Sequence, residues 1–261
     1  MAGLLAGKRG LVMGVANERS IAWGIAEAAA AQGAEIAFSY QMEGFGKRLR
    51  PLADRIGSDI LIECDVAQEG AIATCFDTLA QTWPTIDFVV HALAFSDKEE
   101  LKGAYMDTSR DNFINTMMIS AFSFTETAQA ARKMMPNGGS LLTLSYIGAQ
   151  RITPNYNVMG VAKAALESSV RYLAVDLGGE NIRVNGLSAG PMKTLAGAAI
   201  TGARHIFRHS EENAPLGRNP DIQEVGKAGL YLVSDLSSGV TGETHFVDGG
   251  FNAVAIPRET S

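Results

Sequence analysis

The sequence predicts a single α/β domain over residues 1–261, built on a doubly wound, seven-stranded parallel sheet. Two observations carry that prediction. Short apolar runs alternate with helix-length patterns along the chain, and most of the runs are continuous rather than alternating, as in strands buried on both faces of a parallel sheet. A chain of 261 residues, 46% hydrophobic and 19% charged, is also long enough to bury one large core of this kind.

The first strand candidate, Gly10 to Val15, runs into a glycine-containing loop and a helix over residues 20 to 32, with Ser20 near its start. Ala34 to Tyr40 is the second strand. Its helix, 44 to 56, contains Pro51, which demands a kink or a late start because proline has no N–H to give. Asp59 to Val66 pairs with a helix at 69 to 82, and Asp87 to Leu93 with an apolar helix at 110 to 135. Ser140 to Tyr146 leads to a helix at 155 to 178. Arg183 to Ser188 is followed by a helical insertion at 192 to 213 and a helix at 221 to 235, and Thr244 to Val247 is the last strand. Strands alternating with helices imply the doubly wound arrangement. No composition shift, linker, repeat or low-complexity tract divides the chain.

Charge and composition narrow the function classes. A net charge of -6 and a pI near 5.3 provide no global basic field for nucleic acid or anionic lipid, so neither partner is expected. The first seven residues are followed at once by Lys8 and Arg9 and the apolar run after them ends in a glycine loop, the wrong order for a secretory signal, and no uncharged stretch of about 18 apolar residues could span a bilayer. A cytoplasmic protein is expected. Cys64, in a strand candidate, and Cys75, in a helix candidate, read as small apolar fillers in a reducing compartment.

Three segments carry chemistry. Tyr156 and Lys163 stand seven residues apart, nearly two helical turns, and so share a face about 10 Å apart along the axis. Tyr146 lies ten residues upstream, at the end of an apolar run. A nearby ammonium lowers the pKa of a phenol, so the pair suits a proton donor beside a cofactor, although a buried ring and a solvated charge would give the same spacing. In the loop from Gly14 to Gly24, a glycine ends the first strand and Ser20 and Ile21 open the helix, where backbone N–H groups and the helix dipole favour a pyrophosphate. A tight turn that binds nothing is the alternative. At the end of the second strand, Ser39-Tyr40-Gln41 stands where an acidic ribose ligand is usual, and no cation follows before Lys47 and Arg48, which leans towards NAD(H). Asp65-Val66 suits an adenine contact or, equally, a helix N-cap.

With these motifs in place, the chain from about Gly7 to Gly250 resembles the short-chain dehydrogenase/reductase superfamily, and within it the divergent branch of bacterial enoyl-acyl-carrier-protein reductases. The marks are the long first loop with Ser20-Ile21, Tyr40-Gln41, Cys64-Asp65-Val66, Leu142 to Tyr146, Pro154 to Gly160 through Lys163, Arg183-Val184-Asn185, Ser188 to Pro191 and Val247 to Gly250. Carbonyl reductases of the superfamily have one Tyr with a Ser about thirteen residues upstream. Here Thr143 holds that position and a second tyrosine is present.

The resemblance implies a Rossmann-like fold and hydride transfer from NADH to the β-carbon of a trans-2-enoyl thioester, the last step of the type II fatty-acid elongation cycle. It implies Tyr156 as hydrogen-bond or proton donor to the thioester oxygen, Lys163 on the nicotinamide ribose, and Tyr146 beside the acyl chain. Cofactor contacts implied are Gly14, Ser20, Ile21, Gln41, Asp65, Val66, Leu93, Lys163 and Met192, Lys193, Thr194, Leu195 and Ala196. Phe95 and Ser96 join Tyr146 and Tyr156 as substrate residues. Ala94 replaces a glycine common in relatives and should narrow the space beside the nicotinamide. A homotetramer and an acyl carrier protein partner follow from the same resemblance.

Within the insertion, Leu195, Ala198, Ala199, Ile206 and Phe207 suit a substrate lid. Arg204 and Arg208 form one i, i+4 pair and His205 and His209 another. The arginines suit either a solvated face or docking of the acidic carrier, and the histidines lack an acidic third ligand, so no metal is expected. Three classes therefore stand open: an enoyl thioester reductase, a 3-oxoacyl (carbonyl) reductase disfavoured by Thr143, and a nucleotide-sensing protein without turnover, which would not need Tyr156 and Lys163.

Overall fold

The computed structural model describes residues 3–198 and 202–256. Seven parallel strands are ordered β3-β2-β1-β4-β5-β6-β7 in one sheet. They are β1 (Arg9–Met13), β2 (Glu35–Tyr40), β3 (Leu61–Glu63), β4 (Phe88–His91), β5 (Gly139–Ser145), β6 (Ile182–Ala189) and β7 (Thr244–Val247). The order reverses between β1 and β4, so the chain leaves these neighbours toward opposite faces and a crevice opens over their C-terminal ends. The register aligns Met13 with His91, His91 with Thr143, and Ser145 with Ser188.

Helices cover both faces. On one side, α1 (Ile21–Ala31), α2 (Glu43–Arg55) and α9 (Ile222–Val233) pack around Val12, Phe38, Phe88 and Leu187. On the other, α3 (Ala71–Ala80), α5 (Ser123–Arg132) and α6 (Asn157–Gly178) enclose Leu11, Met13, Val89 and Leu141. Strands sandwiched this way have no water-facing side, which is why their sequences do not alternate. Gly24 is a packing glycine rather than part of a phosphate cradle. A Cβ there would lie 2.8 Å from the carbonyl oxygen of Ile222, and one on Gly226 only 2.5 Å from that of Gly24, so α1 and α9 cross in close contact.

Several element boundaries differ from the sequence reading. Edge strand β3 is shorter than the Asp59 to Val66 run because it pairs with β2 alone, through three residues. The first strand ends at Met13: Gly14 adopts φ +94°, and a Cβ at that residue would lie 2.2 Å from the Ala92 carbonyl oxygen. The late start suggested by Pro51 does not occur, since α2 begins at Glu43 and runs through Pro51, which is exposed on its solvent side. The long helix expected over 110 to 135 is divided into α4 (Arg110–Met117), a π-turn (Met118–Phe122) and α5. The insertion is α7 (Leu195–Ala198) and α8 (Ala203–Asn213); Ala199, one of the suggested lid residues, lies outside the described residues. Cys64 and Cys75 are free and buried, and the Cys64 thiol donates to the Ala71 carbonyl at 3.6 Å.

Candidate active site

The sheet reversal and the insertion enclose a cleft of about 1440 Å³. Its floor is the ends of β4, β5 and β6, its walls are the Asn17–Arg19 loop and residues 93–98, and Ala203, Arg204, Ile206 and Phe207 of α8 overhang it. Tyr146, Tyr156 and Lys163, read from the sequence as one constellation, meet in this cleft beside the wall of Leu93, Ala94, Phe95 and Ser96.

Tyr156 is not inside the helix, as its spacing from Lys163 suggested, but is the N-cap residue of α6. Its neighbours Asn155 and Asn157 both have positive φ, 58° and 36°, a conformation asparagine tolerates better than most residues. Asn157 is anchored by donating from Nδ2 to the Gly103 carbonyl at 3.2 Å. The Tyr156 ring is packed against Gly148, where a Cβ would lie 2.5 Å from it, and edge-on to Tyr146 with ring centroids 5.0 Å apart. A larger residue at 148 would push the phenol out of place.

Electrostatics correct the expectation that an ammonium lowers the Tyr156 pKa. Tyr156 is 8% exposed, and burial, reinforced by Tyr146, raises its phenol far above the ordinary value. Lys163 donates to the Leu144 carbonyl oxygen at 2.8 Å, and burial lowers its pKa to about 8, with Glu167 opposing the fall. Burial also raises the Tyr146 phenol, against a hydrogen bond with Thr153. Both tyrosines are therefore neutral hydrogen-bond donors at pH 7, while Lys163 is largely charged.

Thr143, at the position where carbonyl reductases carry their serine, is turned away from the cleft. Its hydroxyl is 3.1 Å from His91 Nδ1, and His91 Nε2 is 2.9 Å from Ser123 Oγ. Ser123 also donates to the Ile119 carbonyl and Thr143 to the His91 carbonyl at 3.2 Å, so each ring nitrogen faces a buried hydroxyl tied to the backbone. His91 is fully buried, and desolvation together with the Lys163 charge lowers its pKa to about 3, leaving it neutral.

The residues expected to meet a cofactor divide into two groups. Ile21, Leu93, Lys163, Met192, Lys193, Thr194 and Leu195 line the cleft; Ala196 sits in α7 beside them. Ser20 Oγ accepts the N–H groups of Ala16 and Asn17 at 3.0 and 3.1 Å, so its hydroxyl shapes the first loop. Thr194 Oγ1 likewise accepts from Gly197 N at 2.9 Å. Gln41, Asp65 and Val66 lie beyond the enclosed cleft, at the ends of β2 and β3 on the same edge of the sheet. Gln41 Nε2 donates to Asp65 Oδ1 at 3.2 Å, and Asp65 also accepts from Ala67 N. Asp65 does not cap α3, whose N-cap is Gly70. Lys47 is paired with Glu43 and Arg48 lies over Phe45, so both cations are engaged away from this carboxylate. An anionic corner of this kind suits an adenosine ribose with free hydroxyls better than one bearing a 2′-phosphate.

Ser96 lines the cleft, and its hydroxyl is within hydrogen-bond distance of Asn112 and accepts from Thr116 Oγ1 at 2.9 Å, which ties it to the segment behind. The π-turn supplies the next anchor. Ser120 Oγ accepts from Phe95 N–H at 2.9 Å and donates to the Phe95 carbonyl at 3.0 Å. Asn112, Thr116, Ser120, Ser123 and Thr127 are all buried on the long helical segment. Their spacing of three or four is the sequence signal for this polar face, which the reading of 110 to 135 as an apolar helix passed over.

At the insertion, Lys193 lies over the Phe207 ring at 5.4 Å, coupling the loop after β6 to α8. Arg204 and Arg208 are exposed, and only Arg204 reaches the cleft wall. His205 and His209 stack at 6.2 Å, with His209 Nδ1 beside Asn213.

Comparison with known proteins agrees with this geometry. The family model described as enoyl-(acyl carrier protein) reductase matches residues 14–252. The chain is 58% identical to enoyl-[acyl-carrier-protein] reductase [NADH] 2 of Rhizobium meliloti strain 1021 over 257 residues, which covers 98% of this chain and 96% of the relative. The crystal structure of FabI from Candidatus Liberibacter asiaticus matches with a TM-score of 0.96 at 55% identity, covering 99% of this chain and 100% of that one. An enoyl-acyl-carrier-protein reductase from Anaplasma phagocytophilum, solved in complex with NAD, matches with a TM-score of 0.95 at 52% identity and coverage of 99% and 98%. With a seven-stranded sheet, two tyrosines over one lysine and full-length relatives of one kind, the chain belongs to the enoyl-(acyl carrier protein) reductase family.

Proposed function

We propose that the protein is an NADH-dependent enoyl-acyl-carrier-protein reductase that saturates the C2–C3 double bond of trans-2-enoyl thioesters. The observation that carries the reading is the pairing of Tyr146 and Tyr156 at 5.0 Å in one cleft while Thr143 is buried against His91. A carbonyl reductase needs a hydroxyl from position 143 at its substrate, and this threonine is 1% exposed.

When bound, NADH supplies the hydride that reaches the β-carbon. Residues of the chain manage the charge that then develops on the thioester oxygen. Tyr156, neutral and desolvated, donates its O–H to that oxygen, and a preorganised donor of this kind stabilises an oxyanion by about 3 kcal/mol. Tyr146 buttresses the Tyr156 ring and faces the acyl chain. Lys163 holds the nicotinamide ribose hydroxyls with its ammonium, which the Leu144 carbonyl orients. The lid formed by 192–213 covers the acyl group, its apolar face supplied by Leu195, Ile206 and Phe207, and excludes water.

The acidic carrier docks beside the cleft mouth, where Arg204 and Arg208 are exposed on α8. Exposed apolar residues on α6, Tyr172 and Val175, and on the α4–π-turn segment, Phe113, Ile114, Met118 and Phe122, support assembly as a homotetramer through these helices. No described helix is long and apolar enough to cross a membrane, and a cytoplasmic location fits the substrate. The test is NADH oxidation with a trans-2-enoyl thioester and, in parallel, a 3-oxoacyl thioester. The enoyl substrate alone should consume NADH; consumption with the 3-oxo substrate alone would assign the protein to the carbonyl reductases.

A further inference from the structure

Glu167 lies on α6 one turn beyond Lys163 and is 5% exposed. Its Oε1 accepts from Ser145 Oγ at 2.6 Å and its Oε2 from Gln150 Nε2 at 2.9 Å. Ser145 ends β5, between Leu144, whose carbonyl accepts from Lys163, and Tyr146. Two successive turns of one helix thus hold two successive residues, Leu144 and Ser145, at the strand end that leads into the second tyrosine. A carboxylate buried this deeply is costly unless hydrogen-bonded and matched by a cation, and Lys163 is the cation at hand.

The groups facing Lys163 define what the carboxylate does. From β4 comes His91, from the β5 end Tyr146, and at the start of α6 Tyr156; all three are neutral at pH 7. Around the cleft stand Glu18, Arg19, Asp97, Lys98, Lys193 and Arg204. Glu167 is the anion one turn along α6 from Lys163, and its charge opposes the loss of the buried ammonium's proton.

We propose that Glu167 is a positioning residue for the reaction: its carboxylate is the buried counter-charge that keeps Lys163 an ammonium facing the cofactor ribose and clamps the β5 end beneath Tyr146. The inference rests on the assignment of Lys163 to the cofactor. A purely structural role would affect stability and leave the pH dependence of cofactor binding where it was.

The experiment is a fluorescence titration with NADH, without acyl substrate, repeated from neutral pH towards the ordinary Lys value of 10.5. In the wild type the Kd should rise above about pH 8 as Lys163 loses its proton. Glu167→Gln removes the charge and keeps the shape, so that midpoint should fall by about one pH unit, with Kd up to about tenfold weaker on the alkaline side. Glu167→Asp keeps the charge and should retain the wild-type midpoint. Gln150→Leu removes one hydrogen bond but no charge, so it should lower Tm without moving the midpoint.

Equal midpoints for wild type and Glu167→Gln would overturn the proposal, as would a midpoint that moves with Gln150→Leu. If Glu167→Gln does not fold, Glu167→Asp decides, because a shifted midpoint in a variant that keeps the charge contradicts the counter-charge role. Binding is read apart from turnover. A wild type that shows this titration but reduces no enoyl thioester leaves Glu167's role standing and removes the proposed activity, whereas one that binds no NADH removes both.

Discussion

Removing one buried hydroxyl, in Ser120→Ala, should loosen the wall of the active site from behind. Ser120 is 0% exposed on the π-turn, and its oxygen is the single atom that both accepts the Phe95 N–H and donates to the Phe95 carbonyl, at 2.9 and 3.0 Å. Alanine leaves both backbone groups without that partner. Each orphaned buried polar group costs about 1–3 kcal/mol, and because the Phe95 side chain is half-exposed, some backbone rehydration is expected, giving about 2–3 kcal/mol in total. For a chain of this size that is a fall of about 5–10 °C in Tm by calorimetry. The loop it holds runs from Leu93 to Ser96 along the cleft, so kcat/KM for the enoyl thioester should drop about 10–100-fold, in line with an active-site displacement on the order of 1 Å. A Tm within about 1 °C of wild type together with unchanged kinetics would refute the claim that the π-turn positions this wall.

Three other perturbations test separate parts of the account. Tyr156→Phe should fold normally and bind NADH with unchanged Kd while kcat falls about 10²–10³-fold, since only the donor to the developing oxyanion is lost. Reversing both cations, Arg204→Glu with Arg208→Glu, should raise KM for carrier-bound substrate severalfold and leave KM for coenzyme A thioesters alone; equal effects on both would contradict docking at α8. His91 contributes to acid sensitivity. Its folded pKa, about 3, lies below the ordinary 6.5, so the unfolded chain takes up the extra proton as pH falls through that window and stability is progressively lost. His91→Gln, which keeps a donor and an acceptor between Ser123 and Thr143, should flatten the decline of Tm with acid.

The elements most legible in the sequence were those governed by local pattern. Apolar runs, most of them continuous, marked all seven strands because a sheet covered on both faces removes the alternation, whereas the run Gly10 to Val15 overshot the end of β1, where Gly14 turns the chain at positive φ. Tyr146, Tyr156 and Lys163 were identified as one group and do meet in one cleft. What the sequence hid depends on distant contacts. The π-turn is invisible to a helical repeat, since it arises where Ser120 reaches the Phe95 backbone, and Glu167 reads as an ordinary charge until Ser145 and Gln150 close around it. The direction of the Tyr156 shift was misjudged for a related reason. Helical spacing suggested a lysine nearby but not how dry the phenol is, and burial, reinforced by Tyr146, sets the direction. Gly24 was likewise assigned to the cofactor loop when its neighbour, α9, lies about 200 residues away in sequence and sets the need for a missing side chain.

The most direct test of the central claim is the fate of the transferred hydrogen. Turnover of a trans-2-enoyl thioester with NADH deuterated at the transferable nicotinamide position, followed by mass spectrometry of the acyl product, should give a saturated thioester with one deuterium on the β-carbon and a solvent hydrogen on the α-carbon. Deuterium at the α-carbon, an unreduced double bond, or label found only in a hydroxyacyl product from a 3-oxo substrate would contradict the account.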